Sequence, residues 1–120
     1  MKILIIEDDL ELREELKVLL DNNGYQGIIL KDFKNALEEI LVTDPDLILL
    51  DIKIPFLNGQ QLLKKLREKS TIPVIMVTSK DSEIDEILAL SYGADDYITK
   101  PYNPTILLLH IEAVFKRLQS

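Results

Sequence analysis

A chain of 120 residues, 47% of them apolar, is long enough for one domain with its own core. It has no cysteine, so it offers neither a disulfide framework nor a thiolate zinc site, which fits a reducing cytoplasm. Its formal charge of −7 sets it against phosphate backbones and therefore against direct nucleic-acid binding.

Met1-Lys2 leads straight into a short apolar run, Ile3-Leu4-Ile5-Ile6, closed by Glu7-Asp8-Asp9. This is not a secretory signal, and residues 2–6 read as a buried strand. No apolar stretch approaches the roughly 20 residues of a membrane span. Leu12, Leu16, Leu19 and Leu20 mark one face of a first helix, which Gly24 stops. The charged run from Glu11 to Lys17 reads as the solvated face of that helix. A weaker strand follows at 26–30, then a helix over 33–42 with Phe33, Leu37, Ile40 and Leu41 as its stripe. Asp44-Pro45 ends that helix, and strand 46–50 follows. The segment 51–58 is a loop with Pro55. Gly59 opens a helix carrying Leu62, Leu63 and Leu66. Pro73 precedes strand 74–77. Ser82 and Asp85 form an approximate capping box for a helix that ends at Gly93. Strand 96–99 and a final helix over 103–118 complete the chain.

Five apolar strands alternate with amphipathic helices, which implies a parallel sheet covered on both faces. The expected fold is therefore α/β, a flavodoxin-like (βα)5 doubly wound sandwich of strand order 2-1-3-4-5. In that order strands 1, 3, 4 and 5 are consecutive neighbours, and ligands bind beyond their carboxyl ends. Each of these strands ends in polar residues: Glu7-Asp8, Asp51, Thr78 and Lys100. An acidic residue after a strand is also an ordinary helix cap or loop group. The joint pattern carries more weight than any single position.

Two carboxylates at about 4 Å repel by roughly 4 kcal/mol at an effective dielectric of 20. Glu7, Asp8 and Asp51 together therefore need a cation or shifted pKa values, and Lys100 supplies one charge. A hard divalent ion with oxygen ligands fits the remainder, and Mg²⁺ suits a site with few carboxylates. With a phosphoryl group, the ion, the Lys100 ammonium and the Thr78 hydroxyl would hold its oxygens. A carboxylate would then attack phosphorus, and Asp51, on the central strand, is the best placed.

The segments Ile3-Leu4-Ile5-Ile6-Glu7-Asp8-Asp9, Leu49-Leu50-Asp51-Ile52-Lys53-Ile54-Pro55 with Asn58-Gly59, Val77-Thr78-Ser79 and Gly93-Ala94-Asp95-Asp96-Tyr97-Ile98-Thr99-Lys100-Pro101-Tyr102 carry a family resemblance. In this order and spacing the chain resembles a two-component response regulator receiver domain along essentially its whole length. The resemblance implies that Asp51 is the phosphoacceptor and that a sensor histidine kinase is the donor. It implies that Asp8 and Asp51 ligate Mg²⁺, with Glu7 acting through water and the Lys53 carbonyl as a further ligand. Lys100 would pair with the phosphoryl group through a loop with a cis Lys100-Pro101 bond. Thr78 and Tyr97 would be the switch pair, and Lys53 and Lys80 would tune hydrolysis. Such a domain is not an enzyme in its own right; it catalyses only its own phosphorylation and dephosphorylation.

Residues 93–101 look most like the OmpR/PhoB subfamily. That likeness implies a C-terminal winged-helix DNA-binding domain beyond this receiver, and homodimers formed by the fourth helix, fifth strand and fifth helix. The subfamily's charged pairs fall here on Leu88, Ile106 and His110. Leu107, Ile111, Val114 and Leu118 are expected to face the sheet. Leu88, Ile106, Leu109 and Phe115 are left as an apolar interface with a charged rim that includes Asp96 and Arg117. His110 has no acidic neighbour of the histidine-kinase kind and reads as surface or interface packing. Two alternatives stand beside a transcription regulator: a stand-alone receiver acting by protein contact, and a Mg²⁺-dependent phosphohydrolase. The latter would want an aspartate where Lys53 stands.

Overall fold

A computed structural model describes residues 1–79 and 82–119. The strands are β1 (Lys2–Ile6), β2 (Gln26–Ile29), β3 (Leu47–Leu50), β4 (Val74–Thr78) and β5 (Asp96–Thr99). They form one parallel sheet of order β2-β1-β3-β4-β5, as expected. The helices are α1 (Leu10–Asp21), α2 (Ala36–Thr43), α3 (Gly59–Arg67), α4 (Glu83–Ser91) and α5 (Pro104–Gln119).

The inner strands are continuous apolar runs because the sheet is covered on both faces. Alternate residues feed two separate cores. Leu4, Ile6, Ile48, Leu50, Val74 and Met76 meet α2, α3 and α4. Ile3, Ile5, Leu47, Leu49, Ile75 and Val77 meet α1 and α5. Period-two alternation along each strand makes that division automatic.

Helix boundaries follow local chemistry. Asp9 caps α1, its Oδ1 accepting from the N–H groups of Glu11 and Leu12 at 3.1 Å. Asn58 and Gln61 form a full capping box at α3. Ser82 accepts from the Asp85 N–H at 3.1 Å, and α4 closes before Gly93, whose φ is +104°.

Several sequence expectations are corrected. The helix expected over 33–42 begins with a 3-10 turn, Phe33–Asn35. Asp32 caps that turn, and the Glu39 carboxylate reaches back to the N–H groups of Lys31 and Asp32. Ala36, rather than Leu41, completes the buried side of α2. On α5 the buried stripe is Leu107, Ile111, Val114 and Phe115, and Leu118 is exposed. Phe115 follows Ile111 by four residues and Leu107 by eight, so it lies on the inward face, stacked on Tyr25 at 5.9 Å. Leu88 is half-buried rather than open. Lys17 is no free surface group. Its ammonium pairs with Asp21 at 3.0 Å and donates to the Gly27 carbonyl at 2.8 Å, tying α1 to the edge strand β2.

Gly59 fixes the loop after β3. A Cβ there would lie 2.1 Å from the Asp51 carbonyl oxygen, and its N–H donates to the Ile52 carbonyl at 2.7 Å. The start of α3 is thus pressed against the backbone of Asp51. Gly59→Ala is expected to cost about 3 kcal/mol, the upper end of overpacking penalties. Urea unfolding of the variant against wild type checks this.

Candidate functional site

Parallel register brings the strand ends together. Ile6 pairs with Leu50, so Glu7 and Asp51 leave the sheet side by side, and the Asp51 N–H donates to the Ile6 carbonyl at 3.1 Å. Thr78 pairs with Thr99, and the Lys100 N–H donates to the Thr78 carbonyl at 2.8 Å. The Lys100 side chain then crosses two strands. Its ammonium binds Glu7 Oε1 and lies 2.9 Å from Asp51 Oδ2.

Glu7 is 4% exposed, Asp51 6% and Thr78 fully buried, while Asp8 is open to solvent. Both oxygens of Asp51 are oriented: Oδ2 by Lys100, and Oδ1 by the Lys53 N–H at 3.2 Å. Glu7 Oε2 accepts from the Asp9 N–H at 3.1 Å. One oxygen each from Glu7, Asp8 and Asp51 lies within 4.8 Å of the others. This hard, oxygen-only set with one open member has the donor chemistry of a divalent-cation site.

The electrostatics agree. Burial raises the Glu7 carboxyl above the ordinary range, Lys100 and the Asp9 N–H pull it down, and Asp51 adds repulsion; the net is upward. Burial alone would lower the Lys100 ammonium. Its hydrogen bonds to Glu7 and Asp51, with their charges, outweigh that and hold it above the usual lysine value. One ammonium therefore stands among three carboxylates, two of them buried. Beside them, burial pushes the Tyr102 hydroxyl up to about 12.

Of the polar groups expected at the strand ends, Glu7, Asp8, Asp51 and Lys100 come together here, and Thr78 ends β4 with its carbonyl accepting from the Lys100 N–H. Tyr97 lies on β5, half-buried against the core beneath α2, α3 and α4. The Lys100-Pro101 bond is cis. Lys80 lies outside the described residues. Asp96 binds His110 within the chain, His110 Nδ1 and Asp96 Oδ2 being 2.5 Å apart. Arg117 donates to the Asp95 carbonyl. Ile106 and Leu109 on α5 are 46% and 54% exposed, and Ile84, Ile87 and Leu90 on α4 are also open. Sequence reasoning missed Gly59, whose role depends on a contact eight residues back in the chain. It also missed a groove of about 1000 Å³ that runs from Lys100 and Tyr102 along Leu12, Leu16 and Leu19 of α1.

A parallel five-stranded sheet with an acidic cluster and a lysine at its carboxyl edge is the architecture of a signalling receiver. The family model for the response regulator receiver domain matches residues 3–112, and the chain belongs to that family. The sensory transduction protein RegX3 of Mycolicibacterium smegmatis is 43% identical over 115 residues, 96% of this chain and 50% of that protein. The transcriptional regulatory protein CpxR of Klebsiella pneumoniae is 44% identical over 116 residues, 97% of this chain and 50% of its own. The chain thus spans about half the length of the curated relatives it matches. Among solved structures, the BeF3-activated receiver domain of Klebsiella pneumoniae RstA superimposes with a TM-score of 0.89 at 34% identity, covering 94% of this chain and 97% of that one. A two-component response regulator from Clostridium difficile gives 0.93 at 32% identity, covering 100% and 99%. No helix among the described residues is long and apolar enough to cross a membrane.

The Glu7 carboxyl has a testable signature in the metal-free protein. Its folded pKa is raised, so the unfolded chain loses that proton first as pH rises. The wild-type minus Glu7→Gln difference in unfolding free energy should fall as pH climbs from the ordinary glutamate range to the raised value, then level off. Denaturant titrations across that window read the slope.

Proposed function

We propose that Asp51 accepts a phosphoryl group from a phosphohistidine of a sensor kinase, in a Mg²⁺-dependent reaction, and that the product state alters the α4–β5–α5 face. The observation that carries this reading is the convergence of Glu7, Asp8, Asp51 and Lys100 at one sheet edge. In the transfer, an Asp51 carboxylate oxygen bonds to phosphorus as the phosphorus–nitrogen bond to the donor histidine breaks. The freed imidazole leaves with the donor and takes up a proton. Glu7, Asp8, Asp51 and the Lys53 carbonyl would hold Mg²⁺, Glu7 through water. When bound, that ion offsets the charge of the phosphoryl oxygens. Lys100 leaves its carboxylate partners in part to pair with the phosphoryl group, and the Thr78 hydroxyl donates to it.

Electrostatics and positioning carry most of such a transfer, so these few side chains suffice without further machinery. The domain acts on itself alone, which is why it is not counted as an enzyme. The groove beside α1 ends at Lys100 and is walled by leucines and rimmed by Glu11, Glu14 and Glu15. It suits the kinase helix that delivers the phosphohistidine.

Phosphorylation adds charge and strong acceptors to the pocket. Drawing Thr78 inward would free space for Tyr97 and bias the α4–β5–α5 face between two arrangements. The exposed Ile106 and Leu109, the half-buried Leu88, and Asp96 and Arg117 would then form a homodimer interface in the manner of the OmpR/PhoB subfamily. By its OmpR/PhoB likeness the whole protein would carry a C-terminal winged-helix DNA-binding domain and work in the cytoplasm, and relatives of about twice this length leave room for such a domain. Direct contact with nucleic acid would fall to that domain, since this one is strongly acidic.

With acetyl phosphate and Mg²⁺, intact-mass spectrometry should record one added phosphoryl group on the wild type. Asp51→Asn should gain none, and equal labelling of that variant would sink the assignment. Asp8→Asn should lose the protection against unfolding that Mg²⁺ gives the wild type, about 2.7 kcal/mol at a hundred times the dissociation constant. Sedimentation should show the phosphorylated wild type doubling its mass, with Leu109→Asp remaining a monomer. An unchanged mass on phosphorylation would remove the interface.

A further inference from the structure

Phe56 is placed where neither the backbone nor the core accounts for an aromatic residue. Its φ is +73°, and the Leu57 N–H donates to the Pro55 carbonyl at 2.9 Å across it. This is a γ-turn of the positive-φ form, the strained one. Glycine or asparagine adopts that conformation with less strain, and a bulky side chain there is an outlier. Strain of this kind persists where surrounding structure or function holds it. Core packing does not compensate, since Phe56 is 75% exposed.

The ring stands at the edge of a second groove, between α2, α3 and the loop after β3. Phe33, Leu37 and Ile54 line its apolar wall with Phe56. Its volume is about 160 Å³. That compares with an apolar cavity of about 150 Å³ that accepts benzene, so it takes one leucine- or aromatic-sized side chain. Two lysines, Lys34 and Lys65, and one glutamate, Glu38, are the charged groups of the lining. Both lysines are exposed, and among the described residues neither is in an ion pair. In a chain of net charge −7, the lining of this groove carries two positive charges and one negative, with the Asp32 carboxylate also in the field of Lys34. It also lies apart from the α4–β5–α5 face.

We infer that the α2–α3 groove, with Phe56 as its exposed anchor, is a docking site for an acidic peptide segment of a partner protein. One apolar side chain of the segment fills the groove, and flanking carboxylates meet Lys34 and Lys65. Two lysines against one glutamate at the groove suit a short acidic segment, whereas a second copy of the chain would bring a net charge of −7 with it. A single anchor with a charged rim is also a common economy of small interfaces.

The test uses the 120-residue chain and an acetylated, amidated heptapeptide with one central tryptophan flanked by aspartates and glutamates. Amide chemical shifts should move saturably at Phe33, Leu37, Ile54 and Phe56. Affinity should fall by about tenfold or more in Phe56→Asn and in the double variant Lys34→Glu, Lys65→Glu. It should also fall with added salt, and a lysine-flanked control peptide should not bind. Phe56→Asn should resist urea at least as well as wild type, because asparagine tolerates the turn. Shifts confined to other surfaces, or equal binding of the control peptide, would overturn the proposal. So would unchanged affinity in Phe56→Asn together with earlier unfolding, since the ring would then be a structural part. Mass doubling without peptide, abolished by Phe56→Asn, would make a second copy the occupant and overturn the assignment of an acidic peptide.

Discussion

Three carboxylates crowd the carboxyl edge of the sheet, and one ammonium holds two of them there. Glu7 and Asp51 are buried by neighbouring strands, so their repulsion is not relieved by water. Lys100 reaches both from the far side of β4. The arrangement is balanced only in part, because Asp8 is left without that partner and the Glu7 carboxyl is pushed upward by burial. A site so composed favours added positive charge, and its chemistry follows from that demand. Much of the fold serves to maintain the crowding: parallel register aligns the strand ends, and Gly59 lets α3 press on the acceptor's backbone.

The same organisation divides labour between the layers. The core under α1 and α5 and the core under α2, α3 and α4 are separated by the sheet. The large groove beside α1 opens on the first layer, and the small groove at Phe56 on the second. Both end close to the loops that carry the acidic cluster. A partner on either layer therefore touches the segments that position Asp51 and Lys100, without needing to enter the site.

Much of this was legible from the sequence. Buried parallel strands are continuous apolar runs, so each run announced its strand, and the polar residue after it marked the site. Tertiary choices were less visible. On α5, Phe115 and Leu118 both fit a helical stripe, and only the sheet decides that Phe115 is inside. On α2 the helical stripe likewise admits Leu41, which the packing leaves exposed while Ala36 is buried. Lys17 looked like solvated charge because its acceptor, the Gly27 carbonyl, comes from another element. Gly59 read as a helix start, and its closeness to Asp51 appears only once the loop folds back. The strained turn at Phe56 was silent, since Pro55 announced a loop but not its hand.

The composition has one optical consequence. The chain has four tyrosines and no tryptophan, so tyrosine dominates its intrinsic ultraviolet emission. Tyr102 sits in the field of Lys100 and Glu7, and Tyr97 lies on the strand that leads to Lys100. Tyr25 is stacked on Phe115 in the core beneath α1 and α5, and Tyr92 lies under the Lys64 ammonium. Two emitters are thus near the chemistry and two are set in packed surroundings away from it. The domain carries both its own probe and its own reference, with no dye attached.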